Sequence, residues 1–396
     1  MKLLPVKGIR LGTVEAGIRY ADQRDLVVIE IAKGAHCAAV FTRNVFCAAP
    51  VQLARAHLQQ TLPRYLLVNT GNANAGTGDQ GLLNAEKSCE VLAQLVTCTT
   101  QQVLPFSTGV IGEQLPISRL EAGIQPALNA LDVDGWEAAA HGILTTDTVA
   151  KACSRQMQVN GRSITLTGIA KGSGMIRPDM ATMLSFIATD ADIEINLLQD
   201  ALHAAVDQSF NRITVDGDTS TNDSCVLMAT GCSGVGLVAG DAAWGDFCRL
   251  LVELCVELAQ AIVRDGEGAT KFVTVTVAGG ADSAECLAVA DAIAHSPLVK
   301  TALFASDPNW GRILAAVGRA DVDGLDIATV DLYLGNVRII RGGDPDPDYS
   351  EEQGQHVMSQ NEITIRVELG RGEVEESMWT CDFSYDYVRI NAEYRS

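Results

Sequence analysis

The amino-acid sequence predicts an α/β fold, and three observations carry the prediction. Short apolar runs rich in Val, Ile and Leu alternate with stretches of helical spacing along the whole chain. Residues 246–264 put Phe247, Leu250, Leu251, Leu254, Leu258 and Ile262 on one face at the 3.6-residue period. Just beyond, KFVTVTVAGG alternates Thr and Val at the two-residue period of a strand.

Taken in order, YLLVNTG (65–71) reads as a strand entering a glycine-rich loop. NAEKSCEVLAQLV (84–96) has helical spacing behind an asparagine N-cap at Asn84. ITLTGIAKGSG reads as a strand that runs into another glycine-rich loop. The helix over 246–264 stops before Gly266, and KFVTVTVAGG follows as a half-buried strand. A further helix covers 284–295, and ATVDLYLGNVRII (328–340) reads as one alternating strand. The polar, proline-rich GGDPDPDYSEEQGQ (342–355) is expected to be a surface loop.

Composition narrows the function. The 396 residues are 47% hydrophobic and 20% charged, enough apolar material for a packed core and too little charge for wholesale disorder. The formal net charge is −20, so phosphate backbones and anionic membrane surfaces are repelled; neither nucleic acid nor membrane is an expected partner. No run approaches the roughly 18 apolar residues of a membrane span. The N-terminus meets glycine and charge too early for a secretory signal, so the cytoplasm is the expected compartment. Eleven cysteines without a C-x-x-C pair read as reduced, mostly buried thiols. Six histidines without ligand spacing make a metal site unexpected.

The stretch with chemistry in it is KGSGMIRPDMATML (171–184), a charged glycine-rich loop that turns into the apolar run MLSFIAT. A threonine hydroxyl is a weak nucleophile without an adjacent base, and one solution is an N-terminal threonine whose own α-amine is that base. Such an amine has a reference pKa of roughly 7.7–8.0, so a useful fraction is neutral near pH 7. Thr182 is internal, so the Ala181–Thr182 bond must first break. A strained loop would present the Ala181 carbonyl to Thr182 Oγ for an N→O acyl shift, and hydrolysis of the ester would free the amine. Ala181 offers little bulk to obstruct the attack. On these residues alone, a threonine at a strand start is more often core packing.

The wider pattern resembles the ornithine acetyltransferase family, also called bifunctional glutamate N-acetyltransferases, the ArgJ family of arginine biosynthesis. KGSGMIRPDMATML resembles its autocleavage and nucleophile motif, in which asparagine usually stands at the position of Asp179. PFSTGVIGE (105–113) resembles its oxyanion-hole loop and gives that role to Thr108 and Gly109. The demand fits, because a hydroxyl and a backbone N–H can both donate to a tetrahedral oxyanion. TTDT (145–148) followed by Lys151 resembles a substrate-contacting segment, with Thr148 at the matching position. GEGATK (266–271) carries over Glu267, and INAEYRS resembles the ending N-x-x-Y-x-[ST], which carries over Asn391 and Ser396. Lys171 falls in the site as a cation for a substrate carboxylate or a developing negative charge. NTGNANAGTG (69–78), ITVDGDTSTND (213–223) and SDPNWGRI (306–313) are also typical of the family. The first matches neither dinucleotide nor P-loop glycine spacing, and the second lacks the ligand spacing of an EF-hand.

The resemblance implies a layered α/β sandwich of the self-processing aminopeptidase and ornithine acetyltransferase type. It implies self-cleavage into an α fragment, 1–181, and a β fragment, 182–396, that fold together and assemble as a heterotetramer of two of each. The implied reaction is ping-pong transfer of acetyl from N2-acetyl-L-ornithine to L-glutamate through an acetyl-threonine at Thr182, which also contacts substrate. No metal or organic cofactor is implied, and acetyl-CoA is a second donor only if the enzyme is bifunctional. Two alternatives stay open: a threonine-nucleophile aminopeptidase or amidase, and an uncleaved, non-catalytic binding protein.

Overall fold

The structure is a computed structural model that describes residues 3–177 and 183–393. It divides into two compact units, Met1–Asn211 with Asp218–Ile262, and Arg212–Gly217 with Val263–Ser396. This division does not follow the 181/182 fragment boundary.

The first unit begins with β1 (Ile9–Val14), β2 (Leu26–Ile31), β3 (His36–Phe41), α1 (Ala49–Gln60) and β4 (Tyr65–Asn69). It continues through α2 (Gly78–Val96), β5 (Val103–Ser107), α3 (Ile117–Asn129), α4 (Trp136–Gly142) and β6 (Lys151–Val159). Then come β7 (Arg162–Lys171), β8 (Leu184–Thr189), α5 (Ile195–Asp207), β9 (Ser224–Ala229) and α6 (Ala242–Arg264), whose last two residues belong to the second unit.

Its strands form a four-stranded sheet in the order β1-β2-β4-β5 and a five-stranded sheet in the order β3-β9-β8-β7-β6. The two sheets face each other. Val27, Ile29, Leu66, Val68 and Phe106 of the first share one core with Ile169, Phe186 and Val226 of the second. The Phe106 and Phe186 rings meet edge to face at 5.1 Å. The opposite face of the first sheet, with Leu26, Val28, Tyr65 and Leu67, packs on α2 and α3. Helix α6 covers the second sheet's outer face, where Leu254 and Leu258 sit over Gly168 of β7. The result is helix, sheet, sheet, helix, the layered α/β sandwich. It explains the unbroken apolar runs of β2 and β4, since a strand covered on both faces loses the polar alternation of a half-exposed one.

The second unit holds β10 (Phe272–Gly280), α7 (Ser283–Ala294), α8 (Pro297–Phe304), α9 (Trp310–Gly318), β11 (Asp331–Leu334) and β12 (Val337–Arg341). It closes with β13 (Asp344–Pro345), α10 (Glu351–Met358), β14 (Glu362–Glu368), β15 (Val374–Cys381) and α11 (Tyr385–Glu393). Six strands pair in the order β13-β12-β11-β14-β10-β15. Val273, Val275 and Val277 of β10 join Val289 and Ile293 of α7 and Ile313 of α9 in a single core. Among the described residues, no single helix is long and apolar enough to cross a membrane.

Several local expectations are corrected. Helix α2 starts at Gly78, and Asn84 is a buried interior residue instead of its cap. Strand β10 is covered nearly throughout, because it lies between β14 and β15 and Thr276 hydrogen-bonds Ser377 at 2.9 Å. The single strand expected over 328–340 is a hairpin, β11 and β12, turned at Gly335 and Asn336 with a positive φ of 55° at Gly335. The expected loop over 342–355 contains β13 and the start of α10, which Ser350 and Gln353 begin with a reciprocal capping box.

Candidate active site

In the first unit the chain leaves β5 at Ser107 and turns sharply through Thr108 and Gly109. Gly109 has φ 132°, and a Cβ there would lie 2.3 Å from the carbonyl carbon of Gly71 and 2.5 Å from Asn72 N. Only glycine tolerates that approach and that backbone. The turn is held from below. Thr108 N–H donates to Asn69 O at 3.0 Å, and Val110 N–H to Gly71 O at 3.4 Å. Among the described residues nothing accepts from the Gly109 N–H.

A buried amide network makes this turn rigid. Asn69 Nδ2 donates to Asn72 O at 2.9 Å, and Ser107 Oγ donates to Asn69 Oδ1 at 2.6 Å. Asn222 Nδ2 donates both to Ala73 O at 2.7 Å and to Ser107 O at 2.9 Å. The glycine-rich 69–78 loop and the acidic 218–223 loop are therefore scaffolding for the 107–110 turn. Satisfied polar groups in a low-dielectric interior specify one geometry, since each lost partner costs about 1–3 kcal/mol.

Lys171 ends β7 and is paired across the ladder with Leu184 of β8. Its Nζ donates to Thr145 Oγ1 at 2.8 Å and to Thr108 Oγ1 at 3.2 Å. Behind it stands Asp147, whose side chain is fully buried. Asp147 Oδ1 accepts from Lys151 Nζ at 2.7 Å and from Gly172 N–H at 2.7 Å. Burial alone would raise the Asp147 carboxyl; the Lys171 and Lys151 ammonium groups and the Gly172 N–H outweigh it and hold it down to about 2. The stability this carboxylate contributes is present above its ordinary value of 3.8 and is lost as pH falls toward about 2.

Asp223, just before β9, behaves in the opposite way. Its following residue, Ser224, donates N–H to Met183 O at 2.8 Å. Burial pushes the Asp223 carboxyl well above its ordinary value, and the Ser220 contacts and the Lys171 charge offset this only in part. A carboxyl raised on folding contributes stability below its unfolded value, and that stability is lost as pH rises through the folded one. Asp223→Asn cannot ionise, so its urea-denaturation stability relative to the wild type should climb as pH rises from the ordinary carboxyl value of 3.8 toward the raised folded one. A difference that stays level across that range would refute the assignment.

The predicted residues fall into two groups. Thr108, Gly109 and Lys171 converge in the first unit, and Thr148 is exposed beside Asp147. Glu267 and Asn391 meet in the second unit, where Asn391 Nδ2 donates to Glu267 Oε2 at 2.8 Å and to Tyr387 O at 3.0 Å. Glu267 is buried there, and Ser384 Oγ anchors the segment by donating to Gly268 O at 2.6 Å. Ala181, Thr182 and Ser396 lie outside the described residues. Sequence reasoning missed Asp147, Asp223 and Asn222, although all three stand inside motifs it singled out. The spacing of Asp147 and Lys151, four residues apart, was the visible signal. Among the described residues, no group of three or more His, Cys, Asp or Glu side chains could hold a metal ion.

A hydroxyl and a backbone N–H side by side, with an ammonium behind the hydroxyl, form an arrangement suited to a developing oxyanion. The chain is similar to known proteins along its whole length. The model of the ArgJ family matches residues 10–396. The arginine biosynthesis bifunctional protein ArgJ of Pseudomonas syringae pv. tomato is 56% identical over 396 residues, covering 100% of this chain and 98% of the relative. The protein of the same name from Methylococcus capsulatus is 56% identical over 397 residues, covering 100% and 97%. A crystal structure of the Bacillus halodurans protein of that name is 42% identical with a TM-score of 0.50, covering 52% of this chain and 96% of the solved one.

Proposed function

The chain belongs to the ArgJ family, and from that premise we propose that Thr182 carries an acetyl group between N2-acetyl-L-ornithine and L-glutamate. The chain is an acyltransferase of arginine biosynthesis, a glutamate N-acetyltransferase. The observation that carries the finer reading is the convergence of Thr108, Gly109 and Lys171, with Lys171 Nζ 3.2 Å from Thr108 Oγ1.

The cycle begins with self-cleavage. Thr182 Oγ attacks the Ala181 carbonyl, the acyl group moves from nitrogen to oxygen, and water hydrolyses the ester. This leaves a carboxylate on Ala181 and a free α-amine on Thr182. Fragments 1–181 and 182–396 then stay together. In support, β7 and β8 flank the cut in sequence and are antiparallel neighbours in one sheet, so a cut between them leaves their ladder whole. The crystal structure that aligns over 96% of its own chain but 52% of this one has the extent expected of a fragment.

In the exchange, Thr182 Oγ adds to the acetyl carbonyl and its proton passes to the α-amine. Thr108 Oγ and Gly109 N–H donate to the resulting oxyanion. The C–N bond breaks, the proton goes to the departing ornithine nitrogen, and an acetyl ester remains. The glutamate amine attacks that ester, and Thr182 Oγ leaves with a proton. Lys171, Thr148, Glu267, Asn391 and Ser396 are the substrate contacts in this reading, the carboxylate and amide pairing with charged ends of the amino acids. As written, the exchange uses no metal or organic cofactor. The relatives' name, bifunctional, supports acetyl-CoA as a second donor to the same threonine. The working form is a cytoplasmic heterotetramer of two α and two β fragments.

The test is an exchange assay with labelled acetylornithine and glutamate. Label is expected to move to N-acetylglutamate much faster than to free acetate. Acetate as the main product, with or without glutamate, would point to a hydrolase.

A further inference from the structure

We propose that Asp147 is a positioning residue for acetyl transfer, holding the Lys171 ammonium on the Thr108 hydroxyl and anchoring the end of β7 from which the chain leads to Thr182. The inference rests on the acetyl-exchange reading. Wild-type exchange in the same assay separates failure of one from failure of the other.

Asp147 is surrounded by groups from two segments, 145–151 and 171–172. Its Oδ1 receives Lys151 Nζ and Gly172 N–H, both at 2.7 Å. Its Oδ2 receives Thr145 N–H at 3.1 Å and stands 4.0 Å from Lys171 Nζ. One buried carboxylate thus lies against two ammonium groups. Without its charge, Lys151 and Lys171 would face each other in a low-dielectric space, where like charges repel strongly.

The consequence falls on Thr108. A threonine hydroxyl has one proton and two lone pairs. Because Thr108 Oγ1 accepts from Lys171 Nζ, its own proton must point elsewhere and is available to an oxyanion. The ammonium also polarises the hydroxyl and makes it a better donor. Among the described residues Asp147 has no hydrogen bond to Thr108; it acts by keeping Lys171 in place. Its bond to Gly172 N–H sets the backbone at the first residue of the KGSG loop from the same carboxylate.

Among the described residues, the charged groups facing Lys171 include Asp147 and Lys151 from the 145–151 segment and Asp223 just before β9. Two variants read them out, with rates expressed per cut chain as measured by intact mass. Asp147→Asn should lower kcat by about 10²-fold, as a small misplacement of a catalytic group does. In a Thr108→Ala background the same substitution should cost less than about threefold, because groups that act as a unit are not additive. Equal losses in both backgrounds would reduce Asp147 to a structural role, and a near-normal rate would remove it altogether. If Asp147→Asn does not fold or cut, Lys151→Met decides. It keeps the bonds from Asp147 to Gly172 and Thr145 and leaves the carboxylate to Lys171 alone. The alkaline limb of its kcat profile should then move to higher pH, and an unmoved limb would overturn the proposal.

Discussion

Thr182→Ala is expected to abolish both self-cleavage and acetyl exchange. The variant loses the oxygen that attacks the Ala181 carbonyl, so no N→O shift can begin. Without the cut there is no α-amine at position 182, and so no base for the second reaction. The two losses share one atom, which is why the effect should be total instead of graded. Intact-mass spectrometry should find a single species at 42.0 kDa, and the exchange assay should return only background. The fold should survive, because β7 and β8 are joined by their own ladder whether or not the chain between them is cut. Thr182→Ser is the informative control: it restores a hydroxyl and should both cut and transfer, at a lower rate. An uncut Thr182→Ala chain that still moves acetyl to glutamate would sink the mechanism.

Thr108→Ala should slow acetyl transfer by about 10²–10³-fold in kcat, the usual loss for one oxyanion-hole donor. The loss should fall on kcat because the oxyanion exists only in the tetrahedral states; ground-state binding of acetylornithine makes little use of it. Lys171 also loses a hydrogen-bond acceptor at 3.2 Å but keeps Thr145 Oγ1 at 2.8 Å, so the lysine should hold its position. Gly109 N–H would remain as the single donor and account for the residual rate. Thr108→Ser retains the hydroxyl and should recover most of the activity. A Thr108→Ala rate near that of the wild type, in fully cut enzyme, would take Thr108 out of this role.

Much of the molecule is legible in the chain itself. The strand over 65–69 follows from its unbroken apolar run, the valines of β10 from a period of two and the α6 face from a period of 3.6 residues, because each element buries what its own geometry brings to a covered face. The α10 cap was legible too, as Ser350 and Gln353 three residues apart, but it was hidden in a stretch whose prolines and acidic residues suggest a loop. The β11–β12 hairpin was missed although its signal was present: the apolar residues shift from even positions, Leu332 and Leu334, to odd ones, Val337 and Ile339, across the turn dipeptide Gly335–Asn336.

The chain also singled out Thr108, Gly109 and Lys171 as candidates, through short motifs that resemble those of the family. Their assembly belongs to the tertiary structure. Lys171 reaches Thr108 across 63 residues, and Asn222 reaches Ser107 across 115. Polar side chains buried at such separations leave no periodic trace, because their partners are chosen by sheet packing and not by neighbours along the chain. The same holds for charge. Asp147 and Asp223 are chemically identical in the sequence, yet one is held ionised by two ammonium groups and the other is driven toward its neutral form by burial. That difference is made by what surrounds each carboxyl after the layers close, so only the folded molecule carries it.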